Sequence, residues 1–220
     1  MGDNLEVILQ AYRDNEYDIR HFKEGVERYF LGNPKLFAGG RYLIHSSKSR
    51  MKDIDHLKEK IIRKTSAGRE VSSTNLFDAI TDLAGVRVLL LFQDDFARVN
   101  EVILNKVNVE KDWILAEAPK AYTWDPENTA FFNKIGIESH IKESFYTSVH
   151  YLVKPRADSN ITCEIQVRTL FEEIWGEVDH HLNYPTPTEN MALKEQIKVL
   201  SKIVGAGSRL LDSIRRVEGG

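Results

Sequence analysis

Four short segments with the pattern of β-strands are separated by longer segments of helical period, and this alternation limits the fold of the 220-residue chain more than any other feature. The strand-like segments are runs of β-branched and aliphatic residues at 86–92, 112–117, 148–154 and 163–169. Strands interleaved with helices pack as a sheet that helices cover. The sequence therefore predicts an α/β or α+β sheet domain.

Helical segments surround these strands, because apolar residues recur there at spacings of three and four. They are expected between residues 5 and 29 (one helix or two), at 49–64, at 74–83, after the pair Asp94-Asp95, at 170–182 and at 188–216. Asp94-Asp95 can cap the helix that follows it. Residues 120–145 show no clear period and are predicted to form a functional or mobile loop. The apolar stripes of the terminal helices are expected to pack either on the domain or against another copy of the chain.

The overall charge and composition exclude several classes of protein. A net charge of −3 supplies no global basic field for binding nucleic acid, which leaves only a local basic patch for such a partner. The single cysteine rules out an intrachain disulfide framework and a multi-cysteine metal cluster. The longest apolar run, VLLLF, is far too short to span a bilayer, and the acidic N-terminus has no apolar signal-peptide core. We therefore expect a cytoplasmic protein with no membrane partner.

The segment CEIQVRT carries polar residues at every second position. In an extended strand, Ile165 and Val167 fall on one face, whereas Glu164, Gln166 and Arg168 fall on the other. The polar face could be solvated at the surface. It could equally line a cleft in which a carboxylate, an amide and a guanidinium point at one ligand.

Two further blocks, DLAGVRVLLLF and RMKDIDHLKEK, each allow a structural and a functional interpretation. Arg87 lies inside an apolar strand, where it could snorkel or form a structural ion pair. Alternatively, Asp82 at the mouth of that strand could hold a metal while Arg87 faces a nucleotide. The lysines of RMKDIDHLKEK could form a solvated face, or cations that reach toward a polyphosphate.

Two aromatic and histidine-containing motifs complete the set. Tyr146, at a junction between loop and strand, could stack on a base or cap the core, and His150 could be a core histidine. Asp179, His180 and His181 suggest metal-dependent phosphohydrolase chemistry. Such a site needs further His and Asp ligands, and the other histidines offer no second Asp-His-His run of that kind. The hydrolase signal is therefore weak.

Taken in order, four blocks resemble the synthetase domain of the RelA/SpoT family, the (p)ppGpp synthetases of the stringent response: RMKDIDHLKEKIIRK, DLAGVRVLLLF, FYTSVH, and EIQVRT followed by W and DHHLNY. The similarity is closest to the small, single-domain alarmone synthetases. It implies an α+β, nucleotidyltransferase-like fold with a mixed sheet flanked by helices. The chain is then expected to divide into an N-terminal helical extension (1–45), the synthetase domain (46–187) and a C-terminal helix (188–220).

The resemblance implies a GTP diphosphokinase that transfers the β,γ-pyrophosphate of ATP to the 3′-hydroxyl of GDP or GTP with Mg²⁺ as cofactor. The metal-binding and catalytic pair of the family matches Asp82 and Glu164, and Glu164 is also a candidate to activate the acceptor hydroxyl. The ATP-binding positions of the family match Arg50, Lys52, Lys60 and Arg87. The positions that match the acceptor-nucleotide site are Lys142, Tyr146, His150 and Gln166, and His180 matches a further family position.

Three features depart from the family pattern. Phe145 stands where the family commonly has glycine, and Asp53 where it commonly has serine. The connection at 120–145 is longer than expected. Because these features bear on nucleotide recognition, three alternatives stay open: a toxin-type relative that pyrophosphorylates the 3′ end of tRNA, an enzyme that makes adenosine alarmones, and an inactive nucleotide-sensing module. No segment resembles the family's alarmone hydrolase, so synthesis alone is expected.

Overall fold

The computed structural model describes residues 4–184 and 186–218. Each of the three predicted segments (1–45, 46–187 and 188–220) includes a few residues outside the described ones, namely 1–3, 185 and 219–220. The helices are α1 (Leu5–Tyr29), α2 (Ile54–Ser66), α3 (Leu76–Ala79), α4 (Phe96–Asn108), α5 (Pro126–Lys134), α6 (Leu170–Asn183) and α7 (Met191–Glu218). The strands are β1 (Phe37–Ala38), β2 (Arg41–Tyr42), β3 (Ile44–Met51), β4 (Ala84–Leu90), β5 (Ile114–Leu115), β6 (Lys120–Thr123), β7 (Glu138–Ile141), β8 (Ser148–Lys154) and β9 (Cys163–Thr169).

A mixed sheet forms the centre of the fold. Its strand order is β3-β4-β9-β8-β6-β7, and β5 pairs with β8 at its side. β4 runs parallel to β9 and β6 parallel to β7, whereas the other neighbouring strands are antiparallel. This arrangement confirms the predicted α+β class with a mixed sheet flanked by helices.

The N-terminal helix shows why this sheet has one apolar face. α1 is a single helix that buries Ile8, Leu9 and Ile19 against the sheet, on strands β3, β4 and β9. Alternate residues of the strands on this face are apolar, among them Val86 of β4 and Ile165 of β9, which are neighbours in register. Each such side chain contributes about 1.5–3 kcal/mol when it is fully buried. The apolar stripe of α1 is thus covered by its own domain.

The opposite face of the sheet carries a row of polar side chains that crosses five strands. Lys48 of β3 pairs in register with Arg87 of β4, which pairs with Gln166 of β9. Gln166 pairs with His150 of β8, and His150 pairs with Lys120 of β6. Because successive side chains of a strand alternate between its faces, this one row defines a polar surface on the side of the sheet opposite to the apolar core.

The prediction of a helix over residues 49–64 is wrong at its start. Residues 49–51 belong to β3, a strand that the sequence did not indicate because it is polar along most of its length. α2 begins only at Ile54, where the Asp53 side chain accepts hydrogen bonds from the backbone N–H groups of Asp55 and His56. These two bonds satisfy donors that would otherwise be unpaired at the helix N-terminus.

The prediction of a loop over residues 120–145 is also wrong. This segment forms β6, α5 and β7, in which α5 crosses between two parallel strands and begins with Pro126 at a favoured first position. Strands of four residues are too short to show a period. Two other elements are shorter than predicted: the strand at 112–117 is reduced to β5, and the helix at 74–83 to α3.

Asp94 and Asp95 do not cap α4 with their side chains, contrary to the prediction. Asp95 instead accepts hydrogen bonds from Arg41 at 2.6 Å and from Arg215 at 2.6 Å. Asp94 binds Arg216 of α7 through both carboxylate oxygens. The two carboxylates therefore attach the C-terminal half of α7 to the sheet domain.

α7 has one face on the domain and one face in solvent. Val204 is buried on the inner side, near α6. The outer side exposes a row of apolar residues: Val199, Ile203, Leu210, Ile214 and Val217. Self-association through the terminal helices stays a prediction. Within the described residues, every helix is too short or too polar to cross a membrane.

Candidate active site

A cavity of about 220 Å³ opens on the polar face of the sheet. Its walls are built by β3, β4, β9 and the turn that precedes β4, and its lining residues are Lys48, Ser49, Arg50, Asp82, Gly85, Val86, Arg87, Glu164 and Gln166. A second cavity of about 800 Å³ shares Arg50, Asp82, Arg87 and Gln166 with the first. We call the two together the cleft. The second cavity adds four more of the residues that match site positions of the family: Lys52, Lys60, Tyr146 and His180.

The two predicted catalytic carboxylates line the same cavity. Glu164 lies on β9 opposite Gly85 of β4, and Asp82 lies two residues before β4 begins. The negative charge of Asp82 acts to raise the pKa of Glu164, as expected for neighbouring carboxylates. The parallel pairing of β4 and β9 thus brings together two residues that are far apart in the sequence.

Both oxygens of Asp82 are bound by lysines. Lys52 Nζ lies 2.9 Å from Oδ2, and Lys60 Nζ lies 2.7 Å from Oδ1. Burial alone would raise the pKa of Asp82, but the two ammonium groups more than offset it and lower the pKa to about 2. Lys52 is only 8% exposed, and this burial lowers the pKa of its own ammonium group. The carboxylate is therefore ionised and its charge is compensated.

Glu164 accepts one hydrogen bond on each oxygen. His150 Nδ1 lies 3.0 Å from Oε1, and Gln166 Nε2 donates to Oε2 at 2.6 Å. Burial would raise the pKa of Glu164, but these two partners outweigh it and hold the pKa below its usual value. Glu164 is consequently an ionised acceptor whose orientation is fixed from both sides.

His150 extends this network to Tyr146. The Tyr146 hydroxyl lies 3.0 Å from His150 Nε2, and burial raises the pKa of that hydroxyl, which keeps it protonated. The ionised Glu164 carboxylate can only accept, so Nδ1–H donates to it, and in a neutral His150 the Nε2 atom accepts from the Tyr146 hydroxyl. A continuous chain of hydrogen bonds therefore runs from Tyr146 through His150 to Glu164.

Arg87 and Arg50 occupy the other side of the cleft. Arg87 Nη1 lies 2.8 Å from Glu173 and 2.8 Å from Glu177, both on α6. The structural interpretation of Arg87 is confirmed by these ion pairs. Arg87 also lines both cavities, and its role toward a nucleotide stays a prediction. Arg50 is exposed at the cleft, on the edge strand β3 opposite Gly85.

Lys142 and His180 contact aromatic rings. Lys142 Nζ is 4.6 Å from the centre of the Tyr122 ring, and Lys142 does not line either cavity of the cleft. The His180 ring stacks on Tyr184 with centroids 4.6 Å apart, at the end of the larger cavity. Among residues 4–184 and 186–218, no group of three or more His, Cys, Asp or Glu side chains is arranged to hold a metal ion.

The structure accounts for two of the three departures from the family pattern. Asp53 caps α2, so its charge interacts with the positive end of the helix dipole, and its pKa is lowered chiefly by the backbone hydrogen bond from Asp55. Phe145 has a φ of 61°, in the left-handed region that favours glycine, at a cost of about 1–2 kcal/mol. Its ring packs on Trp124 with centroids 5.3 Å apart.

The donor set of the cleft fits a magnesium ion. Mg²⁺ takes hard oxygen ligands, commonly one or two carboxylates together with waters and substrate phosphates. Asp82 and Glu164 supply two ionised carboxylates on one cavity. Sequence reasoning did not find Glu173 and Glu177, which hold Arg87, because acidic residues on a helix resemble an ordinary solvated face.

Comparison with known proteins identifies related chains. A family model described as "Region found in RelA / SpoT proteins" matches residues 49–189. GTP pyrophosphokinase YjbM of Bacillus subtilis (strain 168) is 26% identical over 176 aligned residues, and the match covers 77% of this chain and 70% of that protein. GTP pyrophosphokinase YwaC of the same organism is 24% identical over 188 residues, 83% of this chain and 79% of that protein.

Solved structures show the same fold. Small alarmone synthetase 1 from Bacillus subtilis bound to its product pppGpp superposes with a TM-score of 0.72 at 22% identity, over 96% of this chain and 100% of that one. The same protein bound to AMPCPP gives a TM-score of 0.65 at 22% identity, over 92% of this chain and 95% of that one.

Proposed function

Because the chain belongs to the RelA/SpoT family, we propose that it is a GTP pyrophosphokinase, which transfers the β,γ-pyrophosphate of ATP to the 3′-hydroxyl of GDP or GTP. The observation that carries this proposal is the pair of ionised carboxylates, Asp82 and Glu164, on one cavity flanked by lysines and arginines. The relatives that are named GTP pyrophosphokinases favour a guanosine acceptor over tRNA or an adenosine nucleotide.

The donor nucleotide takes the side of the cleft formed by β3 and β4. Arg50 and Arg87 present planar guanidinium groups, which can stack on the two faces of an adenine. Lys52 and Lys60 neutralise Asp82 in the free protein. The triphosphate of an incoming ATP offers these two lysines competing anions, so that they turn from Asp82 toward the phosphates and free its carboxylate.

Asp82 and Glu164 are the residues that would hold Mg²⁺. The ion supplies positive charge for the phosphoryl oxygens of ATP, on which negative charge develops during transfer. Freed from Lys52 and Lys60, the Asp82 carboxylate is a hard oxygen donor.

The acceptor nucleotide takes the side of the cleft formed by β8 and β9. The Tyr146 ring forms the platform for guanine, and Lys142, which lies outside both cavities over Tyr122, provides a cation for acceptor phosphates that extend beyond the cleft. Glu164, oriented by His150 and Gln166, accepts the proton of the acceptor 3′-hydroxyl. The 3′-oxygen forms a bond to the β-phosphorus of ATP while the bond from that phosphorus to the α,β-bridging oxygen breaks, and AMP leaves.

The substrates proposed here, ATP and GDP or GTP, are nucleotides of the cytoplasm, and we place the enzyme there. Phe145 retains the left-handed backbone that glycine commonly supplies at this position of the family. The guanine platform at Tyr146 therefore keeps its backbone geometry in spite of the larger side chain that precedes it.

An acceptor panel tests the proposal. The purified protein is incubated with Mg²⁺ and γ-labelled ATP, together with GDP, GTP, ADP or uncharged tRNA. Label is expected on the guanosine nucleotides only, and Glu164→Gln is expected to reduce the rate by about 10²-fold or more. Glu138→Gln, an exposed carboxylate on β7, is the matched control and should retain activity. Transfer to tRNA or ADP, or to no acceptor by the folded protein, would contradict the proposal.

A further inference from the structure

Glu173 is a buried carboxylate that binds three cations. It lies in the first turn of α6 and is 5% exposed. Its Oε1 atom lies 2.8 Å from Arg87 Nη1 and 3.1 Å from Lys48 Nζ, and its Oε2 atom lies 2.7 Å from Arg168 Nη2. Burial would raise the pKa of Glu173, but Arg168, Arg87 and Lys48 outweigh it and hold the pKa below its usual value.

The three cations that Glu173 binds lie on different sides of the cleft. Arg87 and Lys48 line the cavity on the proposed donor side. The Arg168 guanidinium carbon lies 5.7 Å from the centre of the Tyr146 ring, on the proposed acceptor side. Glu173 itself lines neither cavity. One carboxylate therefore connects an arginine at the donor side with the aromatic platform at the acceptor side.

The local sequence fixes this carboxylate in place. Thr169 ends β9 and forms a capping box with Glu172, which sets where α6 begins and hence where Glu173 points. Gly176, one turn later, leaves room for Arg168: a Cβ atom there would lie 2.7 Å from Arg168 Nη1. Arg168 is 3% exposed, and a cation buried to that extent needs a counter-charge.

We infer that Glu173 is a positioning residue which orients Arg87 for the donor nucleotide and, through Arg168, Tyr146 for the acceptor, so that both binding sites depend on one carboxylate. This inference rests on the proposed function, since it names the donor and acceptor sides of that cleft. Glu173 acts only through the residues that it holds. A purely structural ion pair would stabilise the fold without affecting nucleotide affinity.

Glu177 provides the matched control. It also binds Arg87, with Nη1 at 2.8 Å, but its side chain is 58% exposed and it makes no ion pair with Lys48 or Arg168. Binding of a non-hydrolysable ATP analogue and of GDP is measured separately on folded protein. Glu173→Gln is expected to weaken both nucleotides by about tenfold, because it removes the negative charge that is ion-paired with Arg87 on one side and with Arg168 on the other. Glu177→Gln should weaken the ATP analogue alone, by less than about threefold.

A double-mutant cycle separates positioning from general loosening. In the double variant Arg87→Ala, Glu173→Gln, the loss of ATP-analogue affinity is expected to be smaller than the sum of the two single losses. The loss of GDP affinity is expected to equal that sum. If Glu173→Gln proves too unstable to fold, Arg168→Lys serves instead. That change keeps the charge but loses the planar fork, and should weaken GDP while leaving the ATP analogue unchanged.

The outcomes also separate this inference from the proposed function. If a folded Glu173→Gln protein binds both nucleotides with wild-type affinity and differs only in its unfolding temperature, the inference is overturned. The proposed function is not affected by that result. Equal, additive losses for both nucleotides in the cycle would overturn the inference as well. A wild-type protein that binds nucleotides but transfers nothing would contradict the proposed function alone, because the affinity measurements do not depend on turnover.

Discussion

Replacing Glu172 by glutamine is expected to stabilise the protein at pH 8 and to have little effect at pH 5. Glu172 is buried at the start of α6, where its Oε2 atom accepts a hydrogen bond from the Thr169 backbone at 2.8 Å. Burial raises the pKa of this carboxyl group to about 7. Glutamine is neutral at every pH and can make the same capping-box hydrogen bond.

The size of the effect follows from the pKa of Glu172, which is about 7 in the folded protein against an ordinary 4.5. At 1.36 kcal/mol per pH unit, this separation corresponds to about 3 kcal/mol. Because the folded-state pKa is the higher one, the contribution of Glu172 to stability is complete below pH 4.5 and is lost as the pH rises through 7. For a chain of this length, about 3 kcal/mol corresponds to roughly 6–12 °C in the unfolding temperature.

Urea unfolding of both proteins at pH 5, 6, 7 and 8 measures the difference directly. The free energy of unfolding of Glu172→Gln should exceed that of the wild type by an amount that grows with pH. Asp212, whose pKa burial raises to about 6, contributes to both proteins and cancels in the difference. Glu143→Gln, an exposed position, should show no such trend. A difference that is the same at every pH would refute the reasoning.

Three further changes test other parts of the structure. Gly25→Ala, exposed inside α1 with nothing within 4 Å of an added Cβ, should stabilise the protein by about 0.5–1 kcal/mol in thermal unfolding. Gly207→Ala places a Cβ 2.9 Å from the Phe171 ring and should destabilise the protein by about 1–3 kcal/mol. If Gly25→Ala and Gly207→Ala both raised the unfolding temperature, the packing of α6 against α7 would be contradicted. His150→Phe keeps a ring but cannot donate to Glu164, and should reduce turnover by about tenfold with the ATP KM little changed, whereas a raised ATP KM alone would contradict this role.

The elements that the sequence predicted well are those with one buried and one polar face. β8 and β9 occupy the predicted segments 148–154 and 163–169, because every second residue of each is apolar and packs in the core. The sequence did not predict β3, since its polar residues face the cleft or make hydrogen bonds to other elements: Ser49, for example, donates to Glu27 of α1. β6 and β7, with four residues each, are too short for any period to emerge.

Only part of the candidate site could be predicted from the sequence. Family-matching positions could be named, but spacing alone could not show that the two lysines near Asp82 bind it through both oxygens. Nor could it show the hydrogen bonds that His150 makes on both ring nitrogens, because Tyr146 and Glu164 meet it only in the folded sheet. Such contacts depend on tertiary structure rather than on local pattern.

Analysis of both products of one reaction tests the central claim most directly. With ATP, GTP and Mg²⁺, the account predicts one AMP for every guanosine nucleotide that gains a diphosphate at its 3′ position, and neither product with Asp82→Asn. Formation of ADP instead of AMP would show transfer of a single phosphoryl group. That result, or a 3′-diphosphate made at the wild-type rate by Asp82→Asn, would contradict pyrophosphate transfer at this pair of carboxylates.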